Sequence, residues 1–512
     1  MSVCAHPAEN VLTIGDGSHY CRGCRLPVDE GAISRNGNKS AGVTSRERPD
    51  VGTTDIHETD LGNALRLVQR HGQDLRYCYP QSRWYAWSGT RWARDDTGEV
   101  HRRAKQTVRT IYAEAAEADD ADRRKKLADH ARKSEAEARI IAMVALTQSE
   151  PGIPVLPAQL DADPWLLNVE NGTIDLRNGE LREHHRGDLI TKLAPVTYDP
   201  DVTAPIFASF MDKIMHGETQ VITYLQRTLG RALSGDVSEH RLEMWQGGGA
   251  NGKSTLFNVM MDVLGSYARP SAPGLLLTSR HERHPTEIAD LKGARFVWSV
   301  EVGEGRRLAE ETVKRLTERT LKARRMREDF SEFQATHKLF IAMNHRPTIK
   351  GGDHAIWRRI KLVPFTVTIP DTEQDKGLGD KLRGERAGIL NWLIQGCIDW
   401  QREGFAEPKE VTDATADYRA DQDVVTRFIE DCCTTGENRI AEAGQLYASW
   451  VQWCTENNER PGSKRALGLR LQEHGFDPGQ ATTGSRARTW NGIGLRVQEE
   501  LTPDSAQEET EG

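Results

Sequence analysis

The stretch G-G-G-A-N-G-K-S at positions 247–254 constrains this chain more than any other. It meets the pattern G-x-x-x-x-G-K-[S/T] at every fixed place. A polyphosphate needs closely packed backbone N–H donors, and glycines let the main chain wrap that tightly. Gly247, Gly248, Gly249, Ala250, Asn251 and Gly252 would form the cradle. Lys253 would reach the β and γ phosphates, Ser254 would ligate Mg²⁺, and Thr255 completes the set. The flanks agree with this reading. "LEMW" before the loop is a short strand. After it, Leu256, Val259, Met260, Val263 and Leu264 mark one apolar face of a helix, whose amino end directs a partial positive charge at an anion. The bland alternative is a chance glycine turn ahead of a helix. The pattern and both flanks favour ATP with Mg²⁺.

The remaining composition sets the frame. With 512 residues the chain has room for two to four domains. Its net charge of -8 does not by itself suggest a nucleic-acid partner. Eight cysteines are too sparse for a disulfide framework, so a reducing, cytoplasmic setting is expected. No apolar run approaches the ~20 residues that would span a bilayer, and the first residues do not resemble a signal peptide. Residues 1–30 hold three cysteines, and 31–60 read as a flexible linker. Residues 61–235 read as a mixed, mainly helical collar, with an aromatic hairpin around "SGT", two long helices in 101–147 and a strand–turn–strand stretch from Trp165. Residues 236–410 form the α/β motor core with a parallel sheet, 411–497 a last small domain, and 498–512 an acidic tail.

Hydrolysis at the loop needs an acid near the metal and attacking water, and a cation for the developing charge. "ARFVWSVE" is a strand candidate ending in Glu301, and "THKLFIAMN" another ending in Asn344. In a parallel sheet both would reach the carboxyl edge that carries the loop. Glu301 would order metal or water, and Asn344 would sense the γ-phosphate. Arg358 and Arg359 precede a further strand, where an arginine at a subunit edge could reach a neighbour's phosphate. A solvated basic pair is the alternative there.

The order "GGGANGKST", "FVWSVEVGEGRRL", "THKLFIAMNHRP", "GGDHAIWRRIKLVPF" resembles the superfamily III helicases of the AAA+ class. It is similar in particular to the phage/plasmid-type primase–helicases, relatives of the poxvirus primase–helicase. The resemblance runs from about Asp60 to Phe428. It implies a homo-hexameric ring moving 3′ to 5′ on single-stranded or forked DNA in phage or plasmid replication, in a bacterial cytoplasm and beside a separate primase or polymerase. It assigns Lys253 and Ser254 to phosphates and metal, Glu301 to the acidic motif, Asn344 to the sensor, and Arg358 or Arg359 to the arginine finger. Two places depart from the family pattern. Val300 stands where relatives carry a small or acidic residue, and "LTERT" at 316–320 replaces a glycine turn.

Residues 306–327 contain nine Lys or Arg against three acids, a local reversal in an acidic chain. In the resembled family this hairpin lines the ring's pore, so Lys322, Arg324 and Arg325 are the expected DNA contacts. In the last domain, Lys464, Arg465 and Arg470 lie on a short amphipathic helix, and Arg486 and Arg488 near a hairpin turn. That order suggests a winged helix. At the amino end, Cys21 and Cys24 form a C-x-x-C clamp that with Cys4 and His6 could hold Zn²⁺, with His19 as substitute; a redox pair or idle cysteines are the alternative. Primer synthesis needs paired carboxylates. Asp161 and Asp163 have the spacing, but they lie in a turn, so the chain is expected to be the motor half. The rivals are a DNA-binding initiator or loader switched by ATP, and a primase–helicase with cryptic primer synthesis.

Overall fold

The computed structural model describes residues 56–279, 285–301, 303, 305–324, 329–349, 354–457, 459–480 and 488–496, together with the backbone of 11–13 and 19–21. At its centre is a five-stranded parallel sheet. In chain order its strands are β1 (Leu242–Gln246), β2 (Ala268–Pro270), β3 (Phe296–Glu301), β4 (Lys338–Met343) and β5 (Ile360–Pro364), and across the sheet they run β2-β3-β4-β1-β5. All six residues of β4 are buried, as an inner parallel strand covered on both faces requires.

Strand alternation sends side chains to two separate cores. On one face Trp245, Phe296, Phe340 and Val363 pack with helices Pro205–Ile214, Thr219–Arg231, Lys253–Leu264 and Arg386–Glu403. On the other, Met244, Val297, Ile341 and Leu362 pack with Leu308, Val313, Ile356 and Tyr418. The first core also takes in Leu167 and Val169, so one apolar interior runs across position 235. Three buried cations close that junction. Arg295 donates to the carbonyls of Leu233 (2.5 Å) and Leu166 (2.8 Å), Lys338 donates to the Ser234 carbonyl, and Arg231 donates to the Glu239 carbonyl. Two of these acceptors, Leu233 and Ser234, directly follow the Thr219–Arg231 helix, whose dipole favours positive charge at that end.

The collar differs from expectation in its helix count. The Ala/Glu/Arg-rich run forms three helices, Glu99–Glu117, Ala121–Ser134 and Glu137–Thr147, instead of two. The Asp120 carboxylate accepts from the Arg123 amide and so starts the second helix afresh. The aromatic hairpin is present as Arg83–Trp87 against Trp92–Arg94, with Leu75–Cys78 added as a third strand. The last domain has helices Val424–Cys432, Ala443–Glu456 and Lys464–Glu473. Its antiparallel sheet places Arg488–Leu495 between Cys433–Glu442 and Asp477–Gln480. Near the amino end, Val11–Thr13 pairs antiparallel with His19–Cys21. Cys4, His6, Cys24, Arg325, Arg486 and the acidic tail lie outside the described residues. No described helix is long and apolar enough to cross a membrane.

Candidate functional site

β1 ends at Gln246 and the glycine loop follows at once. Gly247 donates its amide to the Met343 carbonyl of β4 (3.2 Å), and the Phe365 amide donates to Gln246 O (2.7 Å). A Cβ at Gly247 would overlap the Phe365 carbonyl, so only glycine fits there. Gly252 takes a left-handed backbone (φ 84°) where the loop turns into the helix, and it packs on Phe210 and Ile214. Gly248 and Gly249 face open space. The Lys253 ammonium is buried inside the loop. It donates to the carbonyls of Gly247 (2.7 Å) and Gly248 (3.2 Å) and to Asn251 Oδ1 (3.1 Å). Burial pulls its pKa down to about 8. Ser254 is exposed and Thr255 half-buried in the first helical turn.

The register of the sheet decides which residues share this edge. Glu301 pairs with Met343, Met343 with Gln246, and Gln246 with Pro364. These four residues form one row at the carboxyl edge. At one strand spacing per step, Glu301 is two strands, or about 10 Å, from Gln246. Asn344 is one residue beyond the row and exposed, on the strand next to the loop. A loop that can wrap an oxyanion, a buried ammonium, a carboxylate strand end and an exposed amide therefore gather on one edge. Ser254 is an exposed oxygen donor there that could hold a hard divalent cation, and the strand that ends at Glu301 reaches the same edge.

Arg358 and Arg359 part company. Arg359 is buried. It donates to Thr317 Oγ1 (3.0 Å), the Ala355 carbonyl (2.8 Å) and Glu318 Oε1 (3.0 Å). Its guanidinium is committed inside its own chain, which corrects the expectation that either arginine could serve as a finger. Arg358 is exposed, and no hydrogen bond or ion pair holds it among the described residues. Both precede β5 and so lie at the amino edge of the sheet, about 16 Å of strand from the loop edge.

Two residues that the sequence reading missed belong to this geometry. Arg346 donates to Gln246 Oε1 (2.8 Å), at the last residue of β1, and to Asp421 (2.7 Å). It ties the Asn344 turn to the base of the loop and to helix Lys409–Gln422. Its one sequence signal is its place two residues after a strand-ending asparagine. Phe330 is half exposed, with the Arg324 guanidinium 4.8 Å from its ring centre. It belongs to the hairpin of Thr320–Ala323 with Ser331–Gln334. An aromatic close to a run of cations was the signal for it. Lys322 and Arg324 are exposed on the same hairpin. In the last domain Lys464, Arg465 and Arg488 are exposed and Arg470 is half-buried. Asp161 accepts from the Thr191 amide (2.7 Å), and Asp163 pairs with Arg177 (3.1 Å), so both acids are engaged locally.

Three family profiles match the chain. Residues 64–216 match a family described as D5 N terminal like, 245–359 a family of unknown function, and 420–492 a family described as poxvirus D5 protein-like. A protein of Acanthamoeba polyphaga mimivirus that carries the provisional name of helicase is 28% identical over 58% of this chain and 34% of its own length. A provisionally named helicase of Invertebrate iridescent virus 3 is 24% identical over 57% of this chain and 35% of its own. A provisionally named primase of African swine fever virus is 24% identical over 61% and 35%. The chain thus spans about a third of the length of the curated relatives it matches. Among solved structures, an apo structure of the NrS-1 C terminal region aligns with a TM-score of 0.48 at 10% identity, covering 86% of this chain and 100% of that one.

Proposed function

Because the chain belongs to the D5-like primase–helicase family, we propose that it is an ATP-hydrolysing DNA helicase, the motor half of such a protein. The observation that carries this reading is the row at the carboxyl edge. The loop with Lys253, the end of β3 at Glu301 and the Asn344 turn leave the sheet at one level.

The loop amides from Gly248 to Thr255 would hold the phosphates, and Lys253 would turn its ammonium from the loop carbonyls to the β and γ oxygens. Ser254 and Glu301 would hold Mg²⁺, which supplies neutralisation of the charge on the transferred phosphoryl group. Glu301 orients the attacking water and takes its proton as the bond from the γ phosphorus to the leaving oxygen breaks. Asn344 donates to the γ oxygens and, through Arg346, reports their loss to helix Lys409–Gln422. The remaining cation would come from Arg358 of a neighbouring copy in a ring, since on its own chain Arg358 lies at the opposite edge of the sheet.

The hairpin with Lys322, Arg324 and Phe330 would grip single-stranded DNA, its cations on phosphates and its aromatic ring on a base. The last domain, three helices and a three-stranded antiparallel sheet, supports a winged-helix reading in which Lys464, Arg465, Arg470, Arg486 and Arg488 face DNA. Cys4, His6, Cys21 and Cys24 would bind Zn²⁺. The setting would be phage or plasmid replication in a bacterial cytoplasm.

Strand displacement on a forked duplex tests the proposal. The wild-type chain should unwind with Mg²⁺ and ATP, and Lys253→Ala should not. DNA binding with hydrolysis but no displacement would favour an initiator or loader instead. Template-directed dinucleotide formation by the purified chain would overturn the motor-half assignment.

A further inference from the structure

The outer side of β5 borders a groove of about 530 Å³. One wall is the start of the strand, with Trp357, Arg358 and Lys361. The other is helix Lys409–Gln422, which offers Thr412, Thr415, Ala416, Arg419 and Ala420 at three- and four-residue spacing, one face of the helix. Threonine and alanine keep that wall low, so the groove stays open between its charged ends.

The charges in the groove are unevenly committed. Glu407 accepts from Lys361 (2.7 Å) and from Arg241 (2.8 Å). Asp423 accepts from the amides of Val425 (3.1 Å) and Thr426 (3.2 Å) and pairs with His474 (3.0 Å). Both acids are therefore satisfied. Arg358 and Arg419 are exposed, and among the described residues no hydrogen bond or ion pair holds either. The groove thus presents two guanidinium groups in search of an anion. Arg358 does not complete the site on its own chain: β5 is the outermost strand, and Arg358 is a full strand length from the loop edge. At the loop edge Lys253 is held inside the loop, and Arg346 is engaged by Gln246 and Asp421.

We propose that this groove docks the loop edge of a second copy of the chain, and that Arg419 joins Arg358 as a second cation supplied across the interface to the terminal phosphates of that copy's nucleotide. The inference rests on the ATPase reading above and extends it to a named partner surface. Two forked donors can each take a phosphate oxygen pair, which one guanidinium cannot do alone. Arg419 also lies two residues from Asp421, the partner of Arg346. The helix that offers a cation to a neighbour's phosphates is thus tied to the sensor turn of its own.

Subunit mixing tests this. Arg419→Ala, an exposed change, should leave the melting curve unchanged and nucleotide binding within about twofold, while lowering ATP hydrolysis at least tenfold. Lys253→Ala should be inactive alone, because its loop is dead while its groove is intact. Assemblies co-expressed from Arg419→Ala and Lys253→Ala should regain activity, since in an equal mixture about one interface in four joins an intact loop to an intact groove. Arg419→Lys should restore part of the rate. Wild-type hydrolysis by Arg419→Ala would overturn the proposal, and unchanged hydrolysis with weaker DNA binding would reassign the groove to DNA. Recovery for Arg358→Ala with Lys253→Ala but not for Arg419→Ala would also overturn it, placing Arg419 outside the interface. A wild-type chain that hydrolyses no ATP would instead sink the ATPase reading beneath it.

Discussion

Replacing Arg359 and Arg358 one at a time should separate a structural arginine from a catalytic one, although they are adjacent in sequence. Arg359 is 4% exposed and makes three hydrogen bonds, to Thr317, Ala355 and Glu318. Removing one side of a buried ion pair costs roughly 3–5 kcal/mol when the stranded partner stays dry. Glu318 is 51% exposed, so water can solvate it and the loss is smaller. The lost bonds to Thr317 and Ala355 add back about 1–2 kcal/mol. Arg359→Ala should therefore cost about 3 kcal/mol, which for a unit of this size lowers Tm by about 6–12 °C. Arg358→Ala breaks no hydrogen bond or ion pair among the described residues. It should shift Tm by less than about 2 °C and cut ATP hydrolysis by about a thousandfold or more, as loss of a cation supplied to the transition state does. Thermal melting followed by tryptophan fluorescence, with steady-state hydrolysis on the same samples, reads both. The reasoning is refuted if Arg359→Ala melts like wild type yet cannot hydrolyse ATP, or if Arg358→Ala is the variant that unfolds.

Three further outcomes follow from the same geometry. Gly252→Ala puts a methyl group 2.5 Å from Ile214 Cγ2 on a backbone at φ 84°, so it should weaken ATP binding by at least about tenfold, with fluorescent-nucleotide titration as the check. Burial lowers Lys253 from 10.5 to about 8 without nucleotide, and phosphates would raise it; binding above pH 8 must then take up a proton, and log Kd should climb by up to about one per pH unit between pH 8 and 10. A Kd that stays flat to pH 9.5 would contradict this. His337, buried with its Nε2–H on the Leu316 carbonyl, is pushed down to about 4 from 6.5. The unfolded chain therefore binds this proton first, and stability should drop by about 3 kcal/mol as pH falls from 6.5 to 4. His337→Asn should flatten that limb in urea titrations, and an unchanged limb would place the acid sensitivity elsewhere.

Where the sequence pattern was periodic, it was readable. The loop, its strand and its helix follow from fixed glycine places and a 3.6-residue apolar stripe, and Leu256, Val259, Met260, Val263 and Leu264 are indeed all buried. β3 and β4 stood out as short apolar runs closing on polar residues. Events that depend on distant neighbours were not readable. Nothing local distinguishes Arg358 from Arg359; the difference is Thr317 and Glu318, some forty positions earlier, which the fold brings beneath one of them. The three-cation clamp of Arg231, Arg295 and Lys338 is likewise invisible in one dimension, because its acceptors are the main-chain carbonyls of Leu166, Leu233, Ser234 and Glu239, which only the fold brings together. The break at Asp120 was legible in principle as an acidic cap, but a run rich in good helix formers masked it. The groove along β5 needs the sheet order before it can exist at all.

The most direct test of the account is a structure of the chain bound to Mg²⁺ and a slowly hydrolysed ATP analogue. The account predicts the triphosphate on the amides of residues 248–255, the Lys253 ammonium moved onto the β and γ oxygens, and Glu301 and Asn344 facing the γ phosphorus. A nucleotide bound elsewhere, or phosphates in the loop with Glu301 and Asn344 turned away from them, would contradict it.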